Sequence, residues 1–574
     1  MMRRRRAAPA PTALLYPVVM LVTAAALPGA SPEDPSAIKL REVAADWGLD
    51  FRHHHGGSGR RYMVETMSGG VVILDYDADG DEDVFFVDGG ALPGYEGEPA
   101  RSRLFRNDGD GNGDGDGDGA AGGSRRFVDV TSGSRLEVDV YGNGATAGDC
   151  DGDGDLDLYL TAFGPNRLYR NLGDGRFADA TTAAGVADPL WSSSAAFSDV
   201  DRDGDLDLYV ANYVAFDFDV HQDCVDPANG LSIYCQPSTY PGVPDRFYRN
   251  RGDCVFDDAT AGSGFDVRED MAGLGLAFGD LNDDGWPDLY VANDTEPNFL
   301  FLSRGEGRVE EEGLLSGTAV GERGTSEAGM GVELGDVDGD GHLDIVVTNF
   351  EMESNALYRN QGGGFFVDSR YPTRIAEPSL LPLAFGVALA DLDHDADLDL
   401  VVANGHVRDN AAEFRDRSRY GQLNQVFENR GDGVFRAIAG AGLEHQRVSR
   451  GLAAGDLDGD GDLDLVAVNS NQPAEVYENV STTGGGWLRV DLAADRGNTG
   501  GVDGRITVLS GGRRQLREVR TGVSYQSQGA LGAHFGLGAA AEAIAVDALE
   551  IRWPDGRRQR LTGLPAGRRV RVGE

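Results

Sequence analysis

The sequence predicts an all-β fold: a seven-bladed β-propeller closed by an N-terminal strand, followed by a small, mainly β C-terminal domain. Three observations predict it: an Asp-rich nonapeptide that occurs seven times, an apolar strand-like run behind each copy, and a hairpin signature after that run. Copy number falls within the roughly 4–8 blades that propellers use. Fixed ligand spacing in seven copies is a repeat, not an accident of acidic composition.

Positions one, three, five, seven and nine of the nonapeptides are Asp75, Asp77, Asp79, Asp81 and Asp83; Asp149, Asp151, Asp153, Asp155 and Asp157; Asp199, Asp201, Asp203, Asp205 and Asp207; Asp280, Asn282, Asp284, Trp286 and Asp288; Asp336, Asp338, Asp340, His342 and Asp344; Asp391, Asp393, Asp395, Asp397 and Asp399; and Asp456, Asp458, Asp460, Asp462 and Asp464. Ca²⁺ takes roughly 6–8 oxygen ligands, and a glycine at position six permits the sharp turn that brings alternate side chains to one centre. The expected ligands are side chains at one, three, five and nine and the backbone carbonyl at seven, where Trp286 and His342 are then tolerated. Solvated acidic turns are the competing reading, but they do not require fixed spacing. An EF-hand is excluded, because it needs a Glu at position twelve and flanking helices. Ala396 stands where the other loops carry glycine, so the sixth loop is expected to be distorted.

Each loop lies between a Gly/Ala-rich apolar stretch, such as 142–148 or 273–279, and a run such as Leu208 to Asn212 or Leu289 to Asn293. These are two strands joined by the loop. A second signature follows, Asn166 to Phe177 being one case, in which a Gly-Asp-Gly turn separates two apolar alternations. That is a hairpin. Two hairpins per repeat make a four-stranded blade. The last-strand pattern occurs near Phe127, Phe177, Phe256, Val309, Phe366 and Phe435, and is missing after Tyr477. Ile38 to Leu49 has the same form, so the N-terminal strand is expected to complete the seventh blade and leave no exposed edge.

Residues 1–30 read as an export signal: Arg3 to Arg6, a mostly apolar stretch from Ala13 to Leu27, and a small-residue site at Pro28 to Ala30. An uncleaved anchor is the alternative. The propeller is assigned to 31–483 and the C-terminal domain to 484–574. No later stretch approaches the ~18–20 apolar residues of a membrane span. From Gly484 onward the chain has 14 Arg and 9 Asp plus Glu, so the repeats carry more than the whole net charge of −44. Such a surface repels nucleic acid, and divalent ions relieve its self-repulsion.

In an exported chain Cys224 and Cys235, within the Tyr213 to Asp245 insertion, are expected to form a disulfide. For Cys150 and Cys254, free thiols and a second bridge both remain open. The Asp108 to Gly123 run has no strand behind it and reads as a flexible blade-edge loop with loose ion binding, favoured over an ordered metal site. His53, His54 and His55 point alternately to opposite faces of an extended segment, so a hydrogen-bonded loop is favoured over a transition-metal site. His534, Tyr525 and Gln528 read as a domain core or a small recognition patch.

The Asp-rich loops followed by Leu-Tyr-Val-Ala-Asn resemble the FG-GAP/VCBS-type repeats of integrin alpha chains. Trp487-Leu488, Gly522 to Gln528, His534 to Gly538 and Ile551 to Gly556 resemble the ASPIC/UnbV domain. Together they are similar to the cartilage acidic protein family and its bacterial exported relatives over about residues 38–574, including Glu65 to Gly70 and the Cys224/Cys235 insertion. The resemblance implies seven-bladed calcium-binding propellers and extracellular interaction or adhesion, with no established catalytic residues. The expected function is a calcium-binding module for protein or glycan partners, in periplasm, cell surface or medium, with the ring's loops and the Tyr213 to Asp245 insertion as contact surface. The alternatives are an enzyme using the propeller channel or the C-terminal domain, and a purely structural surface protein.

Overall fold

Alternating apolar residues on both sides of each Asp-rich loop make antiparallel strands, as the computed structural model bears out for residues 36–97, 101–109, 127–268, 271–482, 485–538 and 545–573. Residues 1–30, expected to be an export signal, and residues 110–123 of the Asp-Gly run lie outside these described residues. In the second repeat Tyr141–Gly148 pairs with Asp157–Phe163 across the loop, and Arg167–Asn171 and Phe177–Asp179 complete a four-stranded sheet. Among the described residues seven sheets share this order. Their inner strands are Val71–Leu74, Tyr141–Gly148, Ser192–Ser198, Gly273–Gly279, Gly329–Gly335, Ala384–Ala390 and Ser449–Gly455. The protein is therefore all-β, in an arrangement consistent with a propeller.

The fourth strand is shorter than its sequence pattern implies. Phe177–Asp179 is extended, but Thr181–Ala184 forms one helical turn ended by Gly185 at φ +79°. The cause is local. Asp179 accepts from Thr181 N at 2.9 Å and Thr181 Oγ1 accepts from Leu168 N at 3.0 Å, which draws the chain off the ladder. In the last sheet the fourth strand is Leu40–Glu42, paired antiparallel with Glu475–Asn479, and Ala44–Trp47 supplies the helical turn. Inner strands of successive sheets touch, and Val71–Leu74 touches both Tyr141–Gly148 and Ser449–Gly455.

Two larger sheets and a two-stranded one, Ala545–Val546 with Leu564–Pro565, form the C-terminal region among the described residues. Of the larger two, one joins Ala533–Gly536, Trp487–Ala493 and Arg568–Gly573; the other joins Arg513–Glu518, Arg505–Ser510, Ala548–Arg552 and Arg558–Leu561. Val490, Ile506, Val508, Leu549 and Ile551 are buried in one apolar cluster that continues into Phe197, Leu206 and Leu208 of the third repeat. At about 1.5–3 kcal/mol per fully buried aliphatic side chain, this shared core binds the two regions strongly. Residues 36–574 form one compact unit.

A segment of the C-terminal region enters the space among the inner strands. Val332 and Ser524 exchange main-chain hydrogen bonds at 2.9 and 2.7 Å, and Gln528 N donates to Val71 O at 2.9 Å. Gln528 Oε1 accepts from Thr146 Oγ1 at 2.7 Å and Ala147 N at 2.9 Å, while Gln526 N donates to Ser194 Oγ at 3.2 Å. Val387 N donates to Ser524 Oγ at 2.9 Å, and fully buried Tyr525 packs on Phe385 and donates to Met67 O. Six sheets' inner strands are met in this way, since Ala530 N also donates to Ala454 O. Tyr525 and Gln528 are core residues, as one of the two sequence readings has it. An enzyme working through an open channel finds this space filled by Thr521 to Ala530.

At the other end, Tyr234 of the Tyr213 to Asp245 insertion donates to Glu65 at 3.0 Å. Arg61 and Asn410 donate to Ser232 O at 3.1 and 3.0 Å, tying that insertion to the 405–424 loop. The three histidines diverge: His53 meets Ser68 and Asn471 N, His54 meets Asp88, and His55 accepts from Gly57 N. Cys224 is bonded to Cys235 as expected, and Cys150 to Cys254, which decides the open alternative in favour of a second bridge.

Candidate functional site

Within each Asp-rich loop, alternate carboxylates do two jobs, building the turn and leaving oxygens turned inward. Position one accepts from the main-chain N–H of position six: Gly154 N to Asp149 Oδ2 is 2.9 Å, with Gly154 at φ +99°. Ala396 does the same, donating to Asp391 Oδ2 at 2.9 Å with φ +82°. The expected distortion of the sixth loop is thus absent, because the residue adopts the left-handed conformation instead of moving the turn. Position five makes an Asx turn, Asp153 Oδ1 accepting from Asp155 N at 3.1 Å. Position nine is buried in every copy and bridges two chain segments: Asp157 accepts from Cys150 N at 3.0 Å and from Asn171 N at 2.8 Å.

Carboxylate oxygens of Asp75, Asp77 and Asp83, of Asp149, Asp151 and Asp157, of Asp199, Asp201 and Asp203, and of Asp336, Asp338 and Asp344 each converge within 4.8 Å of one another. Burial pushes Asp75 and Asp336 up to about 6, Asp456 to about 7, Asp157, Asp199 and Asp344 to about 8 and Asp83 to about 9, and drives Asp207, Asp288, Asp399 and Asp464 well above the carboxylate range. Asp77 Oδ1, Asp199 Oδ1, Asp201 Oδ1, Asp280 Oδ1, Asp336 Oδ1, Asp393 Oδ1 and Asp456 Oδ1 are buried with no hydrogen-bond partner. Clustered, desolvated, unpartnered carboxylate oxygens are a donor set that fits a hard divalent cation. The side chains at position seven turn elsewhere: Trp286 lies under the Arg202 guanidinium at 4.0 Å and His342 bonds Asp283 of the preceding loop.

Three contributions were missed by sequence reasoning. The Arg of the Arg-Asn signature faces position three of its own loop, as Arg249 with Asp201 (3.1 Å) and Arg359 with Asp338 (3.4 Å); Arg170 pairs with Asp151 likewise. The Asn staples neighbouring loops. Asn171 Nδ2 donates to Leu156 O of its own loop and Tyr76 O of the previous one, and Asn250, Asn360, Asn429 and Asn479 reach Cys150, Leu281, Val337 and Leu392 in the same manner. Asn107 donates to Leu457 O, joining the first loop to the last. The recurring Arg-Asn dipeptide was the available signal.

The third contribution is the C-terminal region, which meets all seven loops. Arg505 donates to Asp280 O and Asp283 (both 2.8 Å), Arg552 to Asp280 Oδ2 (2.6 Å), Arg513 to Asp395 O (2.7 Å) and His534 Nε2 to Gly461 O (2.8 Å). Arg569 reaches Gly80 O, Thr499 reaches Asp149, Asp503 accepts from Asp199 N at 2.8 Å, and Arg514 lies against Gly341. Burial holds His534 down at about 3, so it is neutral and its ring N–H donates to the main-chain carbonyl of Gly461.

Residues 494–574 match the ASPIC and UnbV family model, and 149–210, 280–347, 336–402 and 412–467 match the FG-GAP-like repeat. Cartilage acidic protein 1 of Mus musculus and of Homo sapiens are each 27% identical over 351 residues, covering 58% of this chain and 51% and 50% of theirs. The chain thus spans about half the length of these relatives. Among solved structures, an Agrocybe aegerita lectin specific for non-reducing terminal N-acetylglucosamine overlaps 72% of this chain and 94% of its own, at 15% identity and a TM-score of 0.37.

Proposed function

We propose, for a chain that carries FG-GAP-like repeats and a C-terminal ASPIC/UnbV domain and is homologous to cartilage acidic protein 1 at 27% identity, that it is an exported, calcium-stabilised interaction module for protein or glycan partners. The observation that carries the reading is the set of buried, unpartnered carboxylate oxygens recurring from loop to loop. Calcium held by positions one, three, five and nine and the carbonyl of seven supplies the missing positive charge and pins each hairpin. The seven-bladed, closed form is supported by the pairing of Leu40–Glu42 with Glu475–Asn479 and by the Asn107 link to Leu457. Export is supported by the two disulfides. Among the described residues no helix is long and apolar enough to cross a membrane.

With the inner space filled by Thr521 to Ala530 and the metal-loop end covered by the C-terminal region, the face built from the Tyr213 to Asp245 insertion is the favoured contact surface. It presents exposed Val220 and Val225 on a disulfide-braced loop. The decisive experiment is a metal count with calorimetric melting of the full chain in EDTA, magnesium and calcium. One calcium per loop and a calcium-specific rise in Tm are expected; no bound calcium and superimposable melts overturn the metal reading. Glycan-array and pull-down binding with calcium-loaded protein, repeated with Val220→Asp/Val225→Asp, then tests the surface.

A further inference from the structure

Beneath the inserted segment lies a chamber of about 130 Å³, between the C-terminal region and the inner strands of the fifth, sixth and seventh sheets. Val387, Leu389 and Leu452 make its apolar side, and Arg517 and Arg520 enter from the other. Each guanidinium spends one nitrogen on a main-chain carbonyl: Arg517 Nη1 donates to Leu516 O at 2.8 Å, Arg520 Nη2 to Leu334 O at 2.6 Å. The remaining terminal nitrogens, Arg517 Nη2 and Arg520 Nη1, are buried and have no hydrogen-bond partner.

The other charges of the wall are already engaged. Arg489 is held by Glu82 and Asp491, and Glu518 by Arg505 and Arg552. Asp391 accepts from Asp395 N and Ala396 N within its own loop. Glu333 lies 3.7 Å from Arg520, accepts from Leu334 N at 3.0 Å, and is pushed by burial up to about 7. Among the described residues Arg517 has no carboxylate in ion-pair contact. Burial, with a smaller contribution from neighbouring Arg520, lowers it to about 10 against the pull of Asp391 and Asp336. Two neighbouring guanidinium groups, of which only Arg520 has a carboxylate in ion-pair contact, each present an unpartnered buried N–H donor to a cavity with room for a few non-hydrogen atoms, and unmet donors of this kind favour a further acceptor of negative charge.

We propose that this chamber binds one small inorganic oxyanion of the sulfate or phosphate class, bridging Arg517 Nη2 and Arg520 Nη1. A tetrahedral oxyanion offers separate oxygens to two guanidinium groups, and such charge-assisted bonds are the strong ones. Bound there, the anion neutralises the buried pair and fastens the inserted segment to the inner strands.

The test is calorimetric titration of calcium-saturated full-length protein at fixed ionic strength with sulfate, and with phosphate below its calcium solubility limit. Saturable one-to-one binding of either, with a Tm that rises and levels off, is expected; the two arms identify the anion. Arg520→Met is expected to weaken binding at least tenfold while its near-UV spectrum and calcium count stay unchanged, and Arg517→Met to do the same if it folds. A selenate-soaked crystal is expected to show selenium density between the two guanidinium groups. No saturable binding of either anion, binding unchanged in Arg520→Met, or only water at the two nitrogens would overturn the proposal.

Discussion

Position six of the sixth loop isolates the cost of one β-carbon. Ala396 sits at φ +82° where the other loops place glycine between +91° and +99°, and its hydrogen bond to Asp391 is retained. Removing the Cβ should therefore relieve strain without moving a loop carboxylate. Ala396→Gly is expected to stabilise by about 1 kcal/mol in calcium-saturated urea unfolding; an unchanged or lower midpoint would count against it. The sequence identifies Ala396 as odd, yet distortion is the wrong consequence, because a single residue yields before a turn held by repeated hydrogen bonds. Glu428 stands where Arg106, Arg170, Arg249 and Arg359 stand in the first, second, third and fifth repeats, as Glu478 does in the seventh, and it adds repulsion on Asp393. Asp245 offers a second test. It accepts from Asn212 N at 2.7 Å and Tyr209 at 2.8 Å, in the place where Asn166 accepts from Ala162 N and donates to Tyr159. Burial raises its carboxyl to about 7. A raised folded value means that the folded state holds the proton more tightly, so this stability is complete below pH ~4 and is lost as pH rises through 7. Asp245→Asn should gain on the order of 2–4 kcal/mol relative to wild type at pH 8 and little at pH 4. Equal gains at both pH values would sink the assignment.

Among the elements, the strand–loop–strand unit was legible because its period-two apolar runs and its carboxylate spacing both lie within one stretch of chain. What joins one unit to the next was not. Asn171 in its own sheet reads as the end of a hairpin strand, and only when the previous loop lies beside it does Tyr76 O become its second acceptor. Ser303 takes that place in the fourth sheet, where Asp288 accepts from its main-chain N at 2.7 Å, so the anchor to position nine of its own loop is kept without the amide that links to the previous loop. The second disulfide is hidden for the same reason: Cys150 is position two of one loop and Cys254 belongs to the hairpin of the next sheet. The chain separations, 104 and 11 residues, give the bridges unequal weight. By loop-closure entropy, removing Cys150–Cys254 as a double alanine variant is expected to cost about 5 kcal/mol, and removing Cys224–Cys235 about 3 kcal/mol. Denaturant unfolding in calcium compares them directly, and the reverse order would show that the first bridge constrains a chain already held by its neighbours.

For the whole molecule, the sequence shows a C-terminal region of opposite charge to the repeats but not where that charge goes. It goes onto the loops themselves, through Arg505, Arg513, Arg552 and Arg569, and at one place below the surface. Glu82 occupies position eight of the first loop, where the other copies carry Leu156, Leu206, Pro287, Leu343, Leu398 and Leu463. It is buried, as is its partner Arg489 of the C-terminal region. A buried ion pair gains little over an apolar pair of similar volume, yet breaking one side of it is costly, because the other charge is left in low dielectric. Arg489→Leu is therefore expected to lower stability by about 3–5 kcal/mol, whereas Glu82→Leu with Arg489→Leu restores the residue type of most other loops and should return within about 1 kcal/mol of wild type. If the double variant is as unstable as the single, the pair's hydrogen bonds and not its uncompensated charge hold the C-terminal region in place. If the single costs under about 1 kcal/mol, water reaches the site and the interface there is open.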